Sequence, residues 1–263
     1  MGIVNVTPDS FSDGGETLRA EAAVARGLSM LADGADIIDV GGESTRPGAL
    51  PVPPDEELAR VLPVVRALAA AGALVSVDTR RASVMRGAIA AGARIVNDIT
   101  ALTGDPAAMP LVAASDVSVV LMHMQGEPHN MQQAPQYVDA PREVYGWLAA
   151  RFRACLEAGL PGERIAVDPG IGFGKSAAHN LEIIAALRLY RALPCALAVG
   201  LSRKSFIGRL DRDAPPAERL GGSVAGALAC VARGAHIVRV HDVRATRQAL
   251  SVWQAIAEVR TVE

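Results

Sequence analysis

Eight short segments rich in valine and isoleucine recur along this chain of 263 residues, and each ends at a polar or glycine-rich turn. We interpret them as strands over residues 2–6, 36–40, 74–78, 94–98, 117–122, 164–168, 196–200 and 236–240. Each is almost continuously apolar, which is typical of strands buried on both faces of a parallel sheet. No other feature constrains the fold as strongly.

Segments with helical spacing of apolar residues lie between these strands. We predict helices over residues 19–33, 55–71, 81–91, 140–159, 180–193, 217–233 and 243–259. Gly34, Gly92 and Gly234 each stand between a helix and the next strand, where a glycine ends a helix well. Pro63 falls inside the second helix, where it should kink the helix or move its start. The stretch 123–139 is predicted to be a long irregular loop.

Eight strand–helix units in a row, with no break in composition, predict one α/β domain over residues 1–263. An open, doubly wound sheet is the alternative, but eight evenly repeated units favour a closed barrel. The length is near the ~250 residues typical of a (β/α)₈ barrel. The predicted fold is therefore a single-domain (β/α)8 TIM barrel.

Composition excludes several classes of partner. The net charge of −2 gives no general attraction to nucleic acid or to an anionic membrane. The three cysteines, at positions 155, 195 and 230, are scattered and are expected to be buried thiols in a reducing compartment. The chain shows neither a secretory leader pattern nor a run of 18 apolar residues. We therefore expect a cytoplasmic protein without a membrane or nucleic-acid partner.

Lysine is rare in this chain. Of the 26 basic residues only Lys175 and Lys204 are lysines, and both lie in glycine-rich or serine-rich loops. An ammonium is a compact charge that a planar guanidinium does not reproduce. The run 170–176 ends like a phosphate-binding P-loop, but Pro169 occupies the position of its first glycine, and the run does not match GxGxxG either. The five histidines show no zinc-site spacing.

Polar side chains follow the carboxyl end of almost every predicted strand. They are Asn5, Glu43, Ser44, Thr45, Arg46, Asp78, Asn97, Asp98, His123, Asp168, Ser202, Arg203, Lys204, Ser205, Arg239 and His241. The carboxyl ends of barrel strands converge on one mouth, which is where barrel active sites lie. A purely structural barrel has no need for carboxylates, amides and cations there. The pattern favours an enzyme over a binding module.

One group at this mouth suits a flat heterocycle. Asp78, Asn97 and Asp168, together with Lys204, offer acceptors and donors to a ring that carries both. A carboxylate accepts two parallel hydrogen bonds from an amino-pyrimidinone, and an amide and an ammonium can meet its carbonyl and ring nitrogens. Other interpretations stay open. Either aspartate could form an ion pair within the barrel, and Asn97 could cap a turn.

A second group suits an anion. Asn5, Arg46, Arg239 and His241 follow strands one, two and eight, which are neighbours in a closed barrel. Two arginines, a histidine and an amide can hold a pyrophosphate and the Mg²⁺ that accompanies it. Taken singly, Arg239 is equally well explained as a structural ion pair.

The loops resemble those of the dihydropteroate synthase family of pterin-binding barrels. The matching segments are MGIVNVTPDSFSDGG at 1–15, DVGGESTRPG at 39–48, SVDT at 76–79, NDI at 97–99, LMHMQGEPHNMQ at 121–132, DPGIGFGK at 168–175, GLSRKSFIG at 200–208 and RVHDV at 239–243. They cover nearly the whole chain in order. The chain departs from the family in beginning within the first motif and in carrying Leu201, where smaller residues are common.

The resemblance implies that pterin pyrophosphate and p-aminobenzoate condense with the help of Mg²⁺ in folate biosynthesis. It implies a catalytic set of Asn5, Arg46, Asp78, Lys204 and His241, and pterin pyrophosphate contacts from Thr45, Asp78, Asn97, Met122, Asp168, Lys204, Arg239 and His241. It also implies Asn5 as the metal ligand and a p-aminobenzoate pocket of Phe11, Thr45, Pro47, Phe173 and Ser205, with Ser205 opening a helix whose N-terminus favours a carboxylate.

The same resemblance implies a homodimer, formed through the last two helices, and inhibition by sulfonamides. Two alternatives remain. One is a methyltetrahydrofolate–corrinoid methyltransferase barrel, and the other is a pterin-binding protein without catalysis. The SRKS loop at 202–205 and the phosphate-suited residues Arg46, Arg239 and His241 favour the synthase, because methyl transfer does not need them.

Overall fold

The computed structural model describes residues 1–7, 16–46 and 48–259. Each predicted strand segment contains a strand. The eight are β1 Gly2–Asn5, β2 Ile38–Gly41, β3 Val75–Asp78, β4 Ile95–Asp98, β5 Ser118–Met122, β6 Ile165–Asp168, β7 Ala196–Gly200 and β8 Ile237–Arg239. They pair in parallel in the order of the sequence.

The sheet closes on itself between β8 and β1. The Ile3 amide donates to the Val240 carbonyl at 3.0 Å, and the Val240 amide donates to the Met1 carbonyl at 2.9 Å. These bonds exclude the alternative of an open, doubly wound sheet. The prediction of a (β/α)₈ TIM barrel is confirmed.

Helices follow the strands around the outside of the barrel. They are α1 Glu16–Ala32, α2 Pro54–Ala70, α3 Ala82–Ala90, α4 Ala108–Ala113, α5 Ala140–Glu157, α6 Ala177–Ala185, α7 Ser205–Leu210, α8 Leu220–Val231 and α9 Val243–Glu258. Of these, the short α4 was not predicted, and α7 was expected only from the family resemblance, which implies a helix that begins at Ser205. None of the helices within the described ranges combines the length and hydropathy needed to cross a lipid bilayer.

The predicted helices 180–193 and 217–233 needed adjustment. The predicted helix 180–193 begins earlier, because Ser176 caps α6 by accepting from the His179 amide. Its second half is a separate 3₁₀ helix, Leu187–Ala192. The predicted helix 217–233 starts later, after a 3₁₀ turn at Pro216–Glu218. Pro63 lies within α2 without moving its start.

Side chains along each strand point alternately outward, toward the helices, and inward, toward the barrel axis, so they lie in two environments. Outward-facing residues such as Val40, Val77 and Val96 are fully buried against the helices. Inward-facing Ile95 and Val120 belong to a small apolar cluster in the lower barrel. Towards the carboxyl ends of the strands the inward positions become polar. The apolar floor therefore supports a polar mouth, which agrees with the predicted location of the site.

Candidate active site

A cavity of about 480 Å³ opens at the carboxyl ends of the strands. This volume is in the range of small-molecule sites. Nine of the predicted site residues line it: Asn5, Thr45, Arg46, Asp78, Phe173, Lys204, Ser205, Arg239 and His241. Asn97, Met122 and Asp168 are buried side chains at the ends of the adjoining strands β4, β5 and β6. Phe11 and Pro47 lie outside the described residues.

An arginine between two carboxylates forms the inner end of the cavity. Arg239 Nε lies 2.5 Å from Asp39 Oδ2, and its Nη2 lies 2.5 Å from Asp78 Oδ2. Asn97 Nδ2 donates to the same Asp39 oxygen at 3.1 Å. Of the interpretations left open, an ion pair within the barrel is therefore correct for both Asp78 and Arg239. Turn capping is wrong for Asn97, whose amide joins this cluster.

Burial shifts the pKa of two titratable groups that line the cavity. It raises the pKa of Asp78 to about 7, although Arg239 acts in the opposite direction. Burial lowers the pKa of Lys204 to about 7, with the Asp168 carboxylate opposing that change. Both groups are thus near their midpoints at neutral pH. A ligand that hydrogen-bonds either of them can fix its charge, as is common in binding sites.

Lys204 is presented by a strained and well-anchored loop, residues 201–204. Its Nζ donates to the Ile171 carbonyl and lies 4.2 Å from the centre of the Phe173 ring, a cation–π distance. The preceding residue, Arg203, has φ 60°, a left-handed conformation that costs energy for a side chain other than glycine. Two hydrogen bonds, at 2.9 and 2.5 Å, tie the Arg203 guanidinium to Asp242.

His241 is held by the same loop that presents Lys204. Its Nδ1 lies 3.1 Å from Ser202 Oγ, and its backbone amide donates to the same hydroxyl at 3.2 Å. Burial, followed by the charges of Arg203 and Arg239, lowers the pKa of His241 to about 4. The imidazole is therefore neutral at pH 7. It can offer an anion a hydrogen bond but not a full charge.

Residues 169–176, which we name the sixth loop, form the wall that carries Phe173. Asp168 Oδ1 accepts from the Gly170 amide at 2.7 Å, and the Phe173 amide donates to the Gly170 carbonyl at 3.0 Å. Gly170 has φ 67°, and a Cβ there would lie 1.9 Å from the His123 carbonyl oxygen. Only glycine fits this close approach.

A charged network supports the loop between β2 and α2, residues 42–53, which we name the second loop. Glu43 accepts from the Val52 amide at 3.0 Å and pairs with Arg80 and Arg81, each at 3.2 Å. Arg80 also pairs with Glu127, at 2.6 Å, which lies in the loop after β5. The network therefore connects three loops beside Thr45 and Arg46.

The residues at the mouth can support a magnesium site only together with a ligand. Among the residues that the structure describes, no group of three or more His, Cys, Asp or Glu side chains could hold a metal ion. A Cβ on Gly41 would lie 3.7 Å from both Asn5 Oδ1 and Asp78 Oδ2, which places these oxygens on one side of the cavity. Magnesium accepts one or two protein oxygens when phosphates and water supply the others. The donor set fits such an ion.

Several residues of the site were not predicted, among them Asp39, Met131 and Arg219. Asp39 is fully buried, and its Oδ1 has no hydrogen-bond partner in the described structure. A carboxylate inside the apolar strand segment DIIDV was a signal that could have identified it. Met131 and Arg219 also line the cavity. They come from the loop after β5 and the segment before α8. Met131 lies within the family-like segment 121–132, which could have indicated it, whereas Arg219 lies outside the matching segments.

Comparisons with known proteins agree with this geometry. Residues 1–241 match the family model described as pterin binding enzyme. The chain is 50% identical to the dihydropteroate synthase of Neisseria meningitidis serogroup B, over 97% of this chain and 92% of that protein. It is 47% identical to that of Escherichia coli K12, over 97% of this chain and 90% of that protein.

Solved structures show the same similarity. The Xanthomonas albilineans dihydropteroate synthase with 4-aminobenzoic acid has a TM-score of 0.93 and 50% identity, over 99% of this chain and 93% of that one. The same enzyme in complex with 7,8-dihydropteroate has a TM-score of 0.90 and 48% identity, over 99% of this chain and 94% of that one. A Yersinia pestis dihydropteroate synthase with a sulfonamide drug complex has a TM-score of 0.93 and 44% identity, over 98% and 94%.

Proposed function

This chain belongs to the pterin-binding enzyme family and is a dihydropteroate synthase, and from this premise we propose how its residues divide the two substrates. The enzyme is a transferase of folate biosynthesis and a sulfonamide target. It joins the p-aminobenzoate amine to the methylene carbon of 6-hydroxymethyl-7,8-dihydropterin pyrophosphate and releases pyrophosphate. The cavity between the buried polar cluster and the basic rim is the observation that supports our assignment.

The pterin ring is assigned to the inner end of the cavity. Asp78 and Asp168 would accept hydrogen bonds from its amino and ring N–H groups, while Asn97 and Lys204 would meet its carbonyl and ring nitrogens. These side chains are buried or line the cavity, so leaving them unpaired is costly and their recognition of the ring is specific. Met122 would contribute an apolar contact.

The pyrophosphate is assigned to the outer rim. Asn5, Thr45, Arg46 and His241 line the cavity there, and Arg46 is exposed. Arg239 lies deeper in the cavity, where it pairs with Asp78. When the pterin ring hydrogen-bonds Asp78, part of the Arg239 guanidinium would become available to the pyrophosphate. Because His241 is neutral at pH 7, we assign it a hydrogen bond to the leaving group.

Magnesium is proposed as the cofactor, with Asn5 as its ligand from the protein. The Asn5 amide oxygen faces the cavity side that carries Asp78, and the substrate would supply the phosphate oxygens. When bound, the ion stabilises the negative charge that develops on departing pyrophosphate. The residues around it orient the substrate and add the charge of Arg46.

The p-aminobenzoate pocket is assigned to Thr45, Phe173 and Ser205, together with Phe11 and Pro47 from outside the described residues. A neutral aniline nitrogen is already nucleophilic, so no strong base is needed, and the chemical difficulty lies in the leaving group. Ser205 begins α7 at the cavity edge, where its hydroxyl can meet the p-aminobenzoate carboxylate. Enclosing the two substrates excludes water, which would otherwise compete with the amine.

Formation of 7,8-dihydropteroate from both substrates, with and without Mg²⁺, tests the assignment. We expect metal-dependent product that falls by at least about a hundred-fold in Asp78→Ala and Lys204→Ala variants. Asp116→Ala, at a fully exposed carboxylate, is the matched control and should keep its activity. Pterin binding without product would point to a binding protein, and corrinoid-dependent methyl transfer would point to the methyltransferase alternative.

We also propose that the enzyme is a homodimer that uses α8 and α9. Leu220 on α8 and Val252 and Ile256 on α9 are large apolar side chains with 42%, 57% and 68% of their surface exposed. The two helices contact each other, and exposed apolar side chains of this size favour burial against a second copy. Light scattering should give twice the chain mass, and Val252→Glu with Ile256→Glu should give a monomer. A wild-type monomer would contradict the proposal.

A cytoplasmic location is the remaining proposal. All three cysteines are free thiols, and Cys155 and Cys230 are buried in the barrel shell. Burial raises the pKa of the Cys155 thiol to about 11, so it is unreactive as a nucleophile. Free thiols are typical of a reducing compartment.

A further inference from the structure

Lys175 is a buried lysine that substrate binding does not explain. It is one of two lysines among 26 basic residues, and only 2% of its surface is exposed. It is the second-last residue of the run 170–176, which ends like a P-loop. Lys204 lines the cavity, whereas Lys175 does not. Within the described part of the chain it forms no ion pair with a carboxylate. Burial lowers the pKa of this amine well below that of a free lysine, and its nitrogen needs hydrogen-bond partners where water is excluded.

Three polar groups surround its side-chain nitrogen. Lys175 Nζ lies 2.9 Å from His123 Nδ1, and it donates to the His123 carbonyl at 3.3 Å and to the Phe173 carbonyl at 2.9 Å. A lysine nitrogen can take part in three hydrogen bonds, so these contacts account for its hydrogen-bonding capacity. A planar guanidinium is larger and directs its donors as a flat fork. This difference explains a lysine in a chain that otherwise uses arginine.

The acceptors belong to two loops that meet at the cavity wall. His123 begins the loop after β5, residues 123–139, which we name the fifth loop, and Phe173 lies in the sixth loop. Their backbones touch. A Cβ on Gly174 would lie 2.2 Å from the Gln125 carbonyl oxygen, and the corresponding contact of Gly170 with His123 is closer still. Lys175 therefore lies where the two loops are packed most tightly.

The Phe173 carbonyl connects this junction to the site. Its backbone is held by Lys175 from one side, while its ring lies at the cation–π distance from Lys204 on the other. The ring also lines the cavity. Moving the Phe173 backbone would therefore move a wall of the cavity.

We propose that Lys175 is a positioning residue that joins the fifth and sixth loops and thereby fixes the Phe173 wall of the p-aminobenzoate pocket. The proposal rests on the assignment of Phe173 to that pocket. It predicts a larger effect on p-aminobenzoate than on the pterin, because the pterin contacts of Asp78 and Asn97 come from strands β3 and β4. The pterin contacts that touch the sixth loop, Asp168 and Lys204, are also held by strand β6 and by the loop at 201–204.

Steady-state kinetics of Lys175→Met and Lys175→Arg test the proposal. Losing three hydrogen bonds from buried acceptors should raise the KM for p-aminobenzoate by about ten-fold or more. The KM for the pterin pyrophosphate should change by less than about three-fold. Lys175→Arg should not restore the wild-type value, because charge without the ammonium shape does not satisfy the three acceptors.

Ser176→Ala is the matched control for a purely structural role. It removes the N-cap of α6 next to Lys175 and should cost about 1 kcal/mol of stability. It leaves the ammonium in place, so both KM values should stay near wild type. Equal changes of both KM values in Lys175→Met, or a change in Ser176→Ala that matches it, would overturn the positioning role.

Trp147 supplies a measurement that does not depend on activity. Its ring packs edge-on against His123, with 5.0 Å between ring centres. If Lys175 holds His123, the emission of Trp147, measured in a Trp253→Phe background, should change in folded Lys175→Met protein but not in Ser176→Ala. Unchanged emission would overturn the link between the loops. Changed emission with an unchanged p-aminobenzoate KM would overturn the pocket assignment instead, so the two failures are distinguishable.

Discussion

Arg239 Nη2 lies 2.5 Å from Asp78 Oδ2, so the carboxylate assigned to the pterin ring is already paired in the free enzyme. The same guanidinium also holds Asp39, at 2.5 Å. A ring that binds Asp78 must therefore replace part of this ion pair with its own N–H groups. Because Arg239 keeps its second carboxylate, it stays anchored when Asp78 turns to the ligand. Asp39 is thus the fixed member of the cluster.

Asp39→Asn tests that anchoring role. Removing one partner from a buried ionic cluster should destabilise the protein by about 3 kcal/mol, because Arg239 loses a charge partner where water cannot replace it. Urea unfolding followed by circular dichroism measures the difference. Asp36→Asn, at an exposed aspartate just before β2, should change the free energy of unfolding by less than about 0.5 kcal/mol. Equal stabilities of the two variants would contradict the prediction.

The affinity for the pterin should be highest near neutral pH. The pKa of Asp78 is raised to about 7, so the carboxyl takes up a proton as the pH falls through 7 and loses an acceptor. The pKa of Lys204 is lowered to about 7, so the amine loses its proton as the pH rises and loses a donor. Each effect should reach about ten-fold per pH unit away from the midpoint.

Calorimetric titration with 6-hydroxymethylpterin from roughly pH 5 to pH 9 measures this profile. Asp78→Asn should remove the acidic decline and keep the alkaline one. Asp116→Asn, at an exposed carboxylate, should keep both. A wild-type affinity that is flat across this range would show that neither group titrates on binding.

Glu43→Gln should weaken p-aminobenzoate binding through the second loop. The Glu43 side chain is buried and pairs with Arg80 and Arg81, so the substitution leaves two guanidinium groups without their shared carboxylate. We expect the KM for p-aminobenzoate to rise by about five- to ten-fold.

Glu127→Gln provides the comparison for that network. The Glu127 side chain is half-exposed and meets Arg80 alone, so its loss should change the same KM by less than about two-fold. A larger effect from Glu127→Gln than from Glu43→Gln would show that the fifth loop, rather than Glu43, holds the second loop.

Two glycine substitutions should have opposite effects. Gly170→Ala would place a methyl group against the His123 carbonyl in a left-handed backbone conformation, so soluble protein and activity should fall sharply. Gly146→Ala lies within α5 with no heavy atom within 4 Å of the added methyl group. It should raise the free energy of unfolding by about 1 kcal/mol. Active Gly170→Ala protein would argue against the tight junction of the two loops.

The barrel fold was predictable because short, local sequence patterns define its strands and turns. Continuous apolar runs such as the one ending at Asp78 define strands, and the residue after each run marks the mouth. Alternation along the strand then selects the side chains that face inward. This explains why Asn5, Asp78, Lys204 and His241 were all expected at a site that the structure brings together.

The pairing of these residues was not predictable. Arg239 and Asp78 are 161 positions apart, and a strand pattern shows that both face inward but not that they touch. The role of Asp39 depends on the same contacts. Lys175 was identified as unusual, but its three acceptors come from the folded backbones of two loops. Similarly, the break in α6 reflects local backbone geometry at Ala186 rather than the apolar pattern.

The scarcity of lysine has a practical consequence for chemical labelling. Besides the α-amino group, the enzyme has two amines, which belong to its two lysines. Lys204 lies within the substrate cavity, and Lys175 is 2% exposed beneath the cavity wall. Amine-reactive dyes and resins will therefore find no ordinary surface lysine to modify, and coupling will compete with substrate at Lys204. Acylation of Lys204, followed by mass spectrometry, becomes a single-site measure of occupancy. Immobilisation for binding studies should use another chemistry.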